Sequence, residues 1–196
     1  MGEESPYRRE RLFMRQLIAR ELSADELDRI WEIDRSEEIG GWYTVQGADL
    51  HYQPEPQSLG GWPSGIREKY APILAACHAR GGWFHGLFDG DRLIGVAVVD
   101  SKPLGEQGHQ RQLKLLYVDR AYRNGALGKR LFAAAVAQAR RWGARQLYVS
   151  STPSENTVRF YRRRGCYLNP EPDPELYALE PRDVHLLCDL GLSNDE

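Results

Sequence analysis

The sequence predicts one α/β domain, and three observations carry that expectation. The chain has 196 residues, of which 41% are hydrophobic and 28% charged. That is enough apolar side chain to bury one sizeable core, and too much for general disorder. Runs with strand-like patterning alternate with stripes at helical spacing. Their order is a strand, helices, an antiparallel meander, and a strand–helix–strand–helix–strand tail, as expected of layers packed on a single sheet. No repeat, low-complexity tract or linker divides the chain, so residues 1–196 are read as one domain.

Taken in order, Leu12 to Ala19 reads as a first strand. Ser23 and Glu26 form a capping box, and Leu27, Ile30 and Trp31 follow at helical spacing, predicting a helix to about Arg35. Gly40-Gly41 breaks it. Trp42–Val45 and Leu50–Gln53 form a small hairpin, and the proline- and glycine-rich run from Pro54 to Gly65 is loop. Ile66, Tyr70, Ile73, Leu74 and Cys77 lie on one stripe of a helix over Ile66–Arg80, with Pro72 marking a kink or a later start. Trp83–Phe88 and Leu93–Val99 flank Asp89-Gly90-Asp91, a hairpin signal. Ser101–His109 is a polar connection, and Gln112–Val118 is a strand. Leu127–Trp142 is an alanine-rich helix stopped by Gly143. Gln146–Ser151, a helix over Asn156–Arg164, and a last strand over Val184–Leu190 complete the reading.

The 26 basic and 28 acidic residues leave a formal net charge of -2. A nucleic-acid partner is therefore not expected. No apolar run reaches the ~20 residues of a membrane helix, and the charged start lacks the apolar stretch of a signal peptide. Pro6 occupies the position where a myristoylation pattern needs Ser or Thr, so neither a membrane nor a lipid anchor is expected. Cys77, Cys166 and Cys188 are odd in number and widely spaced, which predicts buried free thiols and a cytoplasmic protein. The histidines show no ligand spacing, and no metal is expected.

The most informative stretch runs from Leu116 to Leu131. A strand ends at Val118, and the chain turns through Arg123-Asn124-Gly125-Ala126-Leu127-Gly128 into the long helix, with Lys129 following. The first amides of a helix have no intrahelical partners, small residues let the backbone come close to a ligand, and the helix dipole favours an anion. Because the dipole supplies only ~0.3–2 kcal/mol, direct amide bonds must carry most of such binding. The alternative is an ordinary strand–turn–helix whose glycines serve packing. Neither G-x-G-x-x-G nor a Walker loop is present.

With the later segment Ser150–Cys166, this turn resembles the GNAT superfamily of acyl-CoA-dependent N-acetyltransferases. The family's pyrophosphate motif has Arg or Gln, then Gly, then Gly or Ala at fixed spacing; here Arg123, Ala126 and Gly128 stand in those places. Its later motif has an Asn and, five residues on, a Tyr before a Gly-aromatic strand start, matched by Asn156, Tyr161 and Gly165-Cys166-Tyr167. Ala126 in place of the middle glycine and Cys166 in place of an aromatic are departures. The resemblance is close from about Leu113 to Tyr167. It implies a central, mixed, mostly antiparallel twisted sheet flanked by helices and splayed at the acetyl-CoA site.

The resemblance also implies the chemistry, acetyl transfer from the cosubstrate acetyl-CoA to a primary amine of a small molecule or peptide. Leu116, Tyr117 and Val118 would pair with pantetheine; Arg123 through Lys129 (Asn124, Gly125, Ala126, Leu127 and Gly128 between them) would hold the pyrophosphate. Asn156 would contact the cofactor or cap its helix, and Tyr161 would protonate the departing thiolate or pack in the core. A positioned acid contributes ~10²–10⁴-fold. The strand before the turn holds no Asp or Glu, so a base comes from elsewhere or a water relay replaces a direct base. Asp100 is one candidate; Glu32, Asp34, Glu37 and Glu38 form another group, beside Trp42 and Tyr43, suited to a cationic amine or simply a solvated helix end. Arg162-Arg163-Arg164 would meet the 3′-phosphate or solvent. The insert over residues 40–65 is expected as an acceptor-side lid, or as an arm for a homodimer. A non-catalytic CoA-binding sensor is the alternative to an enzyme.

Overall fold

The computed structural model describes residues 17–123 and 125–191. Nine strands are found among them. The first, β1 (Ile18–Glu21), leads into a 3₁₀ segment (Ala24–Glu32), then β2 (Glu37–Gln46), β3 (Asp49–Leu59) and helix α1 (Ile66–Ala79). A meander follows: β4 (Trp83–Asp89), β5 (Arg92–Leu104) and β6 (Gln110–Val118). The tail comprises α2 (Leu127–Arg141), β7 (Gln146–Ser151), α3 (Glu155–Arg162), β8 (Tyr167–Leu168), α4 (Pro174–Leu179) and β9 (Val184–Asp189). The main sheet has the order β1-β4-β5-β6-β7-β9-β8. Only β6 and β7 run parallel; every other pair is antiparallel.

Both faces of this sheet are covered, which is why β5 is buried at every position from Leu93 to Asp100 instead of alternating. On one face α2 (Leu131, Phe132, Ala135, Ala139) and α3 (Val158, Tyr161) pack on Ile94, Ala97, Val149 and Leu186. On the other, Ile30 and Ile33 with Leu74 and Cys77 of α1 pack on Phe84, Phe88, Val96 and Leu115.

The strand β6 carries the bend that shapes the molecule. Val98 pairs with Leu115 but Val99 pairs with Leu113, so Lys114 is an extra residue bulged out of register. The parallel pairing of β6 to β7 stops at the same place, with Leu113 opposite Val149. Beyond it Leu115–Val118 stays bonded to β5, and Ser150–Ser151 stays bonded to β9. The two central strands therefore fork, each with its inner edge open.

Several expectations are corrected. The first helix is a 3₁₀ segment, although Glu26 still accepts from the Ser23 amide at 3.2 Å. The first strand begins at Ile18, and positions 12–16 of the predicted strand lie outside the described residues. The predicted loop from Pro54 is mostly strand, since β3 runs to Leu59. Its prolines are tolerated because β3 pairs only with β2 and its register shifts between Ile39 and Gly41, opposite Pro54–Gln57. Helix α1 continues through Pro72, whose position is exposed to solvent. The connection after β5 shortens to residues 105–109. Helix α3 begins at Glu155, capped by Ser154, and not at Asn156. Strand β8 begins at Tyr167, at the strand start that the resemblance implied, whereas α4, capped by Asp173 with Pro174 at its first turn, was not anticipated.

The cysteine expectation fails as well. Cys166 and Cys188 are disulfide-bonded, with their Cα atoms 4.2 Å apart, and only Cys77 is a free, buried thiol. The register explains it: Tyr167 pairs with Leu187, so the next residues outward on the two antiparallel strands face each other. The inference of a reducing compartment from unpaired thiols lapses with it. No helix among the described residues is long and apolar enough to cross a membrane.

Candidate active site

A cleft of about 1190 Å³ opens at the fork between β6 and β7. Its walls divide into two halves. The first is made by the inner edge of β6, the turn after it and the start of α3. Leu116, Tyr117 and Val118 line it, as do Arg123, Ala126, Leu127, Gly128 and Lys129. Gly125 sits just outside the lining, and Asn124 lies outside the described residues.

The turn is braced from below. Asp119 is 1% exposed; its carboxylate accepts from Arg92 Nη2 at 2.7 Å, the Ala121 amide at 3.0 Å and the Asp34 amide at 3.2 Å. Arg123 donates to the carbonyls of Val118 (3.0 Å), Ser36 (2.9 Å) and Asp34 (3.4 Å). Its guanidinium thus ties the end of β6 to the chain entering β2. Ala126 has φ 61°, the one positive-φ non-glycine among the described residues, at the N-cap of α2. This is the conformation that glycine adopts without cost. Gly128 has another reason for its identity: an added Cβ would stand 3.2 Å from the Phe160 ring of α3. Close packing on Phe160 is thus one reason for a glycine at this position.

Helix α3 supplies the rest of this half. Ser154 caps it, and Asn156 instead donates to Glu37 Oε2 (3.2 Å) and the Glu38 carbonyl (2.9 Å), locking α3 to the start of β2. Tyr161 is 6% exposed, lines the cleft, and packs against Phe132 and Phe160 at ring distances of 6.0 and 5.1 Å. Burial pushes its phenol well above the usual tyrosine value, and neighbouring Tyr117 adds to that. Of the arginine run, Arg163 and Arg164 line the cleft and Arg162 does not. Arg164 stacks on Phe160, 3.4 Å from the ring centroid, and its buried Nε has no hydrogen-bond partner among the described residues.

The second half is aromatic and acidic. Trp62 meets Trp31 and Tyr117 edge-on, both at 4.9 Å, and is fixed by its Nε1 donating to the Ile33 carbonyl at 3.0 Å. The Arg35 guanidinium lies over Trp62 and Tyr117, at 5.1 and 5.2 Å. Glu180 accepts from Tyr70 at 2.5 Å and from Lys69 at 2.6 Å. Asp183 accepts from Ser150 Oγ at 3.0 Å, and burial raises its carboxyl to about 6. Glu37 and Glu38 complete the acidic side.

The other proposed acceptor residues lie elsewhere. Asp34 is outside the lining; its carboxylate accepts from the Ser36 amide at 2.9 Å, which helps hold it below the usual range. Asp100 is buried, 4% exposed, and stands outside the lining, behind Lys114, which does line the cleft. Burial alone would raise its carboxyl, but two hydrogen bonds from Arg80, one from the Lys102 amide and the charge of Lys114 hold it at about 2. Trp42 bridges to Ser154, the Tyr43 amide donates to Pro153, and Tyr52 donates to Glu155. The body of the inserted hairpin therefore braces α3, and only its ends and the residues after it reach the cleft. Trp62 falls within the insert expected as an acceptor-side lid; Arg35, Tyr70, Glu180 and Asp183 carry no local sequence signal as site residues and meet only through tertiary contacts. Among the described residues, no three His, Cys, Asp or Glu side chains are grouped to hold a metal.

Comparison with known proteins agrees with this geometry. A search of curated proteins by sequence returns no significant match. Among solved structures, a nourseothricin acetyltransferase is similar at a TM-score of 0.68 and 18% identity, covering 89% of this chain and 99% of that one. A putative streptothricin acetyltransferase from Bacillus anthracis str. Ames, in complex with acetyl coenzyme A, gives 0.59 and 16% over the same shares. A PaiA N-acetyltransferase from Thermoplasma acidophilum, in complex with coenzyme A, gives 0.58 and 20%, again over 89% and 99%. The acetyltransferase (GNAT) family profile matches residues 25–166, most of the chain and both halves of the fork, and the chain belongs to the GNAT acetyltransferase family.

Proposed function

We propose that the chain transfers an acetyl group from acetyl-CoA to a primary amine. The observation that carries this reading is the fork: an unpaired strand edge at Leu116–Val118 leads directly into the free amides of α2, inside one open cleft. An extended chain bearing amides can add to that edge as a further strand. Pantetheine is such a chain. The pyrophosphate then falls at the first turn of α2, where Gly125 to Lys129 present backbone amides. The unpartnered Nε of Arg164 and the charges of Arg163 and Lys129 favour a polyanion on this side.

Acetyl transfer needs a neutral amine and a proton for the leaving sulfur. Tyr161 faces the cleft from a dry setting that keeps its phenol protonated at neutral pH, so it can donate to the departing thiolate. Asn156 positions Glu37, and with it the acceptor wall, relative to α3. The aromatic and acidic half suits a cationic amine, through Trp31, Trp62, Tyr117 and the carboxylates around them. Two of the similar solved structures are named for nourseothricin and streptothricin, which makes these compounds sensible members of a substrate panel.

The test is release of free CoA from acetyl-CoA over a panel of amines, alongside cofactor binding. Turnover with at least one amine is the expected result. Tight CoA binding without turnover on any amine would leave the sensor reading in its place.

A further inference from the structure

The transferase reading leaves the amine's proton without an acceptor, because β6 carries no carboxylate. We infer that Asp183 is the general base, taking a proton from the acceptor ammonium at the mouth of the fork. This inference rests on the transferase reading.

Position is the first support. Ser150 is the first residue of β7 beyond its last pair with β6, so it marks the point where the strands part. Asp183 directly precedes β9, and its Oδ2 is held by Ser150 Oγ at 3.0 Å across 33 residues of sequence. The carboxylate is thereby fixed at the opening through which a thioester would be reached. It lines the same cleft as Tyr161, whose phenol is raised by burial first and in smaller part by the Asp183 charge.

The second support is availability. The rival carboxylates are engaged: Glu37 on both oxygens, by Asn156 and Ser154, Glu38 by Ser58, Glu32 by Arg29, Glu180 by Lys69 and Tyr70, Asp100 by Arg80 and Lys114, Asp34 by the Ser36 amide. Among the described residues only Ser150 donates to the Asp183 side chain, and it does so to one oxygen. The other oxygen is left for a proton.

The third support is basicity. Burial raises the Asp183 carboxyl to about 6; the Ser150 bond opposes this, Glu180 adds to it, and Lys69 of α1 and Arg35 before β2 oppose it. Tyr70 of α1, Tyr117 of β6 and Tyr161 of α3 also face Asp183, as neutral phenols. A base of this strength is largely ionised at pH 7, yet holds a proton better than an ordinary aspartate.

The step balances as follows. Asp183 takes one proton from the ammonium, and the freed nitrogen pair attacks the thioester carbon. The C–N bond forms, and the C–S bond breaks as its electron pair leaves with sulfur. Sulfur receives a proton from Tyr161. The second nitrogen proton passes to the Tyr161 phenolate, and Asp183 releases its own proton to water.

The experiment is the pH profile of kcat/KM for an amine that the wild-type chain acetylates, with Kd for CoA and Tm as controls. The wild type should show an acidic limb near pH 6. Asp183→Asn, which still accepts from Ser150, should lower kcat/KM about 10²–10⁴-fold and abolish that limb, with CoA affinity and fold retained. Ser150→Ala should move the limb to higher pH, since the lost donor had stabilised the charged form. Rates within a few-fold of wild type in Asp183→Asn, with the limb unchanged, would overturn the assignment while leaving the transferase reading intact. Binding of CoA with no transfer by the wild-type chain to any amine would overturn both.

Discussion

The cofactor half of the cleft is drawn chiefly from one run of chain, Leu116 to Lys129, with Asn156 and Tyr161 added from α3. The acceptor half is gathered from Trp31 to Glu38, Trp62, Tyr70 and the Glu180–Asp183 turn. The first half offers mainly backbone: an open strand edge and the free amides of a helix start. The second offers side chains, most of them aromatic or acidic. Backbone recognition suits a constant handle such as CoA, because it depends on the path of the chain more than on residue identity. Side-chain recognition suits an acceptor that differs between relatives.

The same contrast holds between two carboxylates. Asp100 is buried and Asp183 half-buried, and the loss of solvent pushes both upward. Asp100 has Arg80 and Lys114 in contact and ends at about 2. Asp183 has only a neutral serine in contact and ends at about 6. Direct cationic partners, not depth, separate a structural carboxylate from a reactive one.

Changes that break one half and spare the other sharpen this comparison. The largest expected effect is on the reaction: Tyr161→Phe should lower kcat about 10²–10⁴-fold while leaving the Kd for acetyl-CoA in place. Equal turnover in that variant would remove Tyr161 as the proton donor. Next is Asp100→Asn. It leaves the Lys114 ammonium, 7% exposed, without its carboxylate and with the neutral Gln112 amide oxygen as acceptor, beside Arg80, and should cost about 3–5 kcal/mol in urea unfolding. Because the folded carboxyl is depressed, the stabilisation from Asp100 is present above the unfolded value near 4 and is lost as pH falls through about 2.

Asp183 has the opposite sign. Its folded carboxyl is raised, so between the unfolded value and about pH 6 the folded state binds more protons, and stability falls as pH rises through that window. Asp183→Asn should therefore stabilise the protein at pH 7, by on the order of 2–3 kcal/mol, with the gain vanishing below about pH 4. Thermal unfolding at pH 4 and pH 7 distinguishes this from a change that is independent of pH. The smallest effect is expected at Ala126→Gly. It removes a left-handed conformation costing an alanine about 1–2 kcal/mol, less the ~0.4–1 kcal/mol of extra unfolded-state freedom that glycine brings. A net gain between about 0 and about 1.6 kcal/mol, with CoA affinity equal or tighter, is the outcome to check by calorimetry.

Features carried by neighbouring residues are legible in the order of the amino acids alone. The Asp89-Gly90-Asp91 hairpin, the glycine turn into α2 and the Asn156-to-Tyr161 spacing each depend on contacts within one turn or two strands. They lead to the fold class, the family and the cofactor half. The sequence does not disclose that Gly128 makes room for Phe160, or that Asn156 holds Glu37 and leaves the cap to Ser154. Those contacts join segments far apart in the chain.

By itself, then, the sequence determined an α/β chain with a glycine-bearing turn into a long helix and a family-like spacing from Asn156 to Tyr161, because short-range geometry and hydrophobic period are local properties. Tertiary structure alone decided three further points. The bulge at Lys114 ends the β6–β7 pairing and opens the fork. The register of β8 on β9 brings Cys166 to Cys188. The meeting of Ser150 with Asp183 places an ionisable group where the strands part. Each depends on which strands pair and where the pairing stops, and that is settled by packing across the whole sheet.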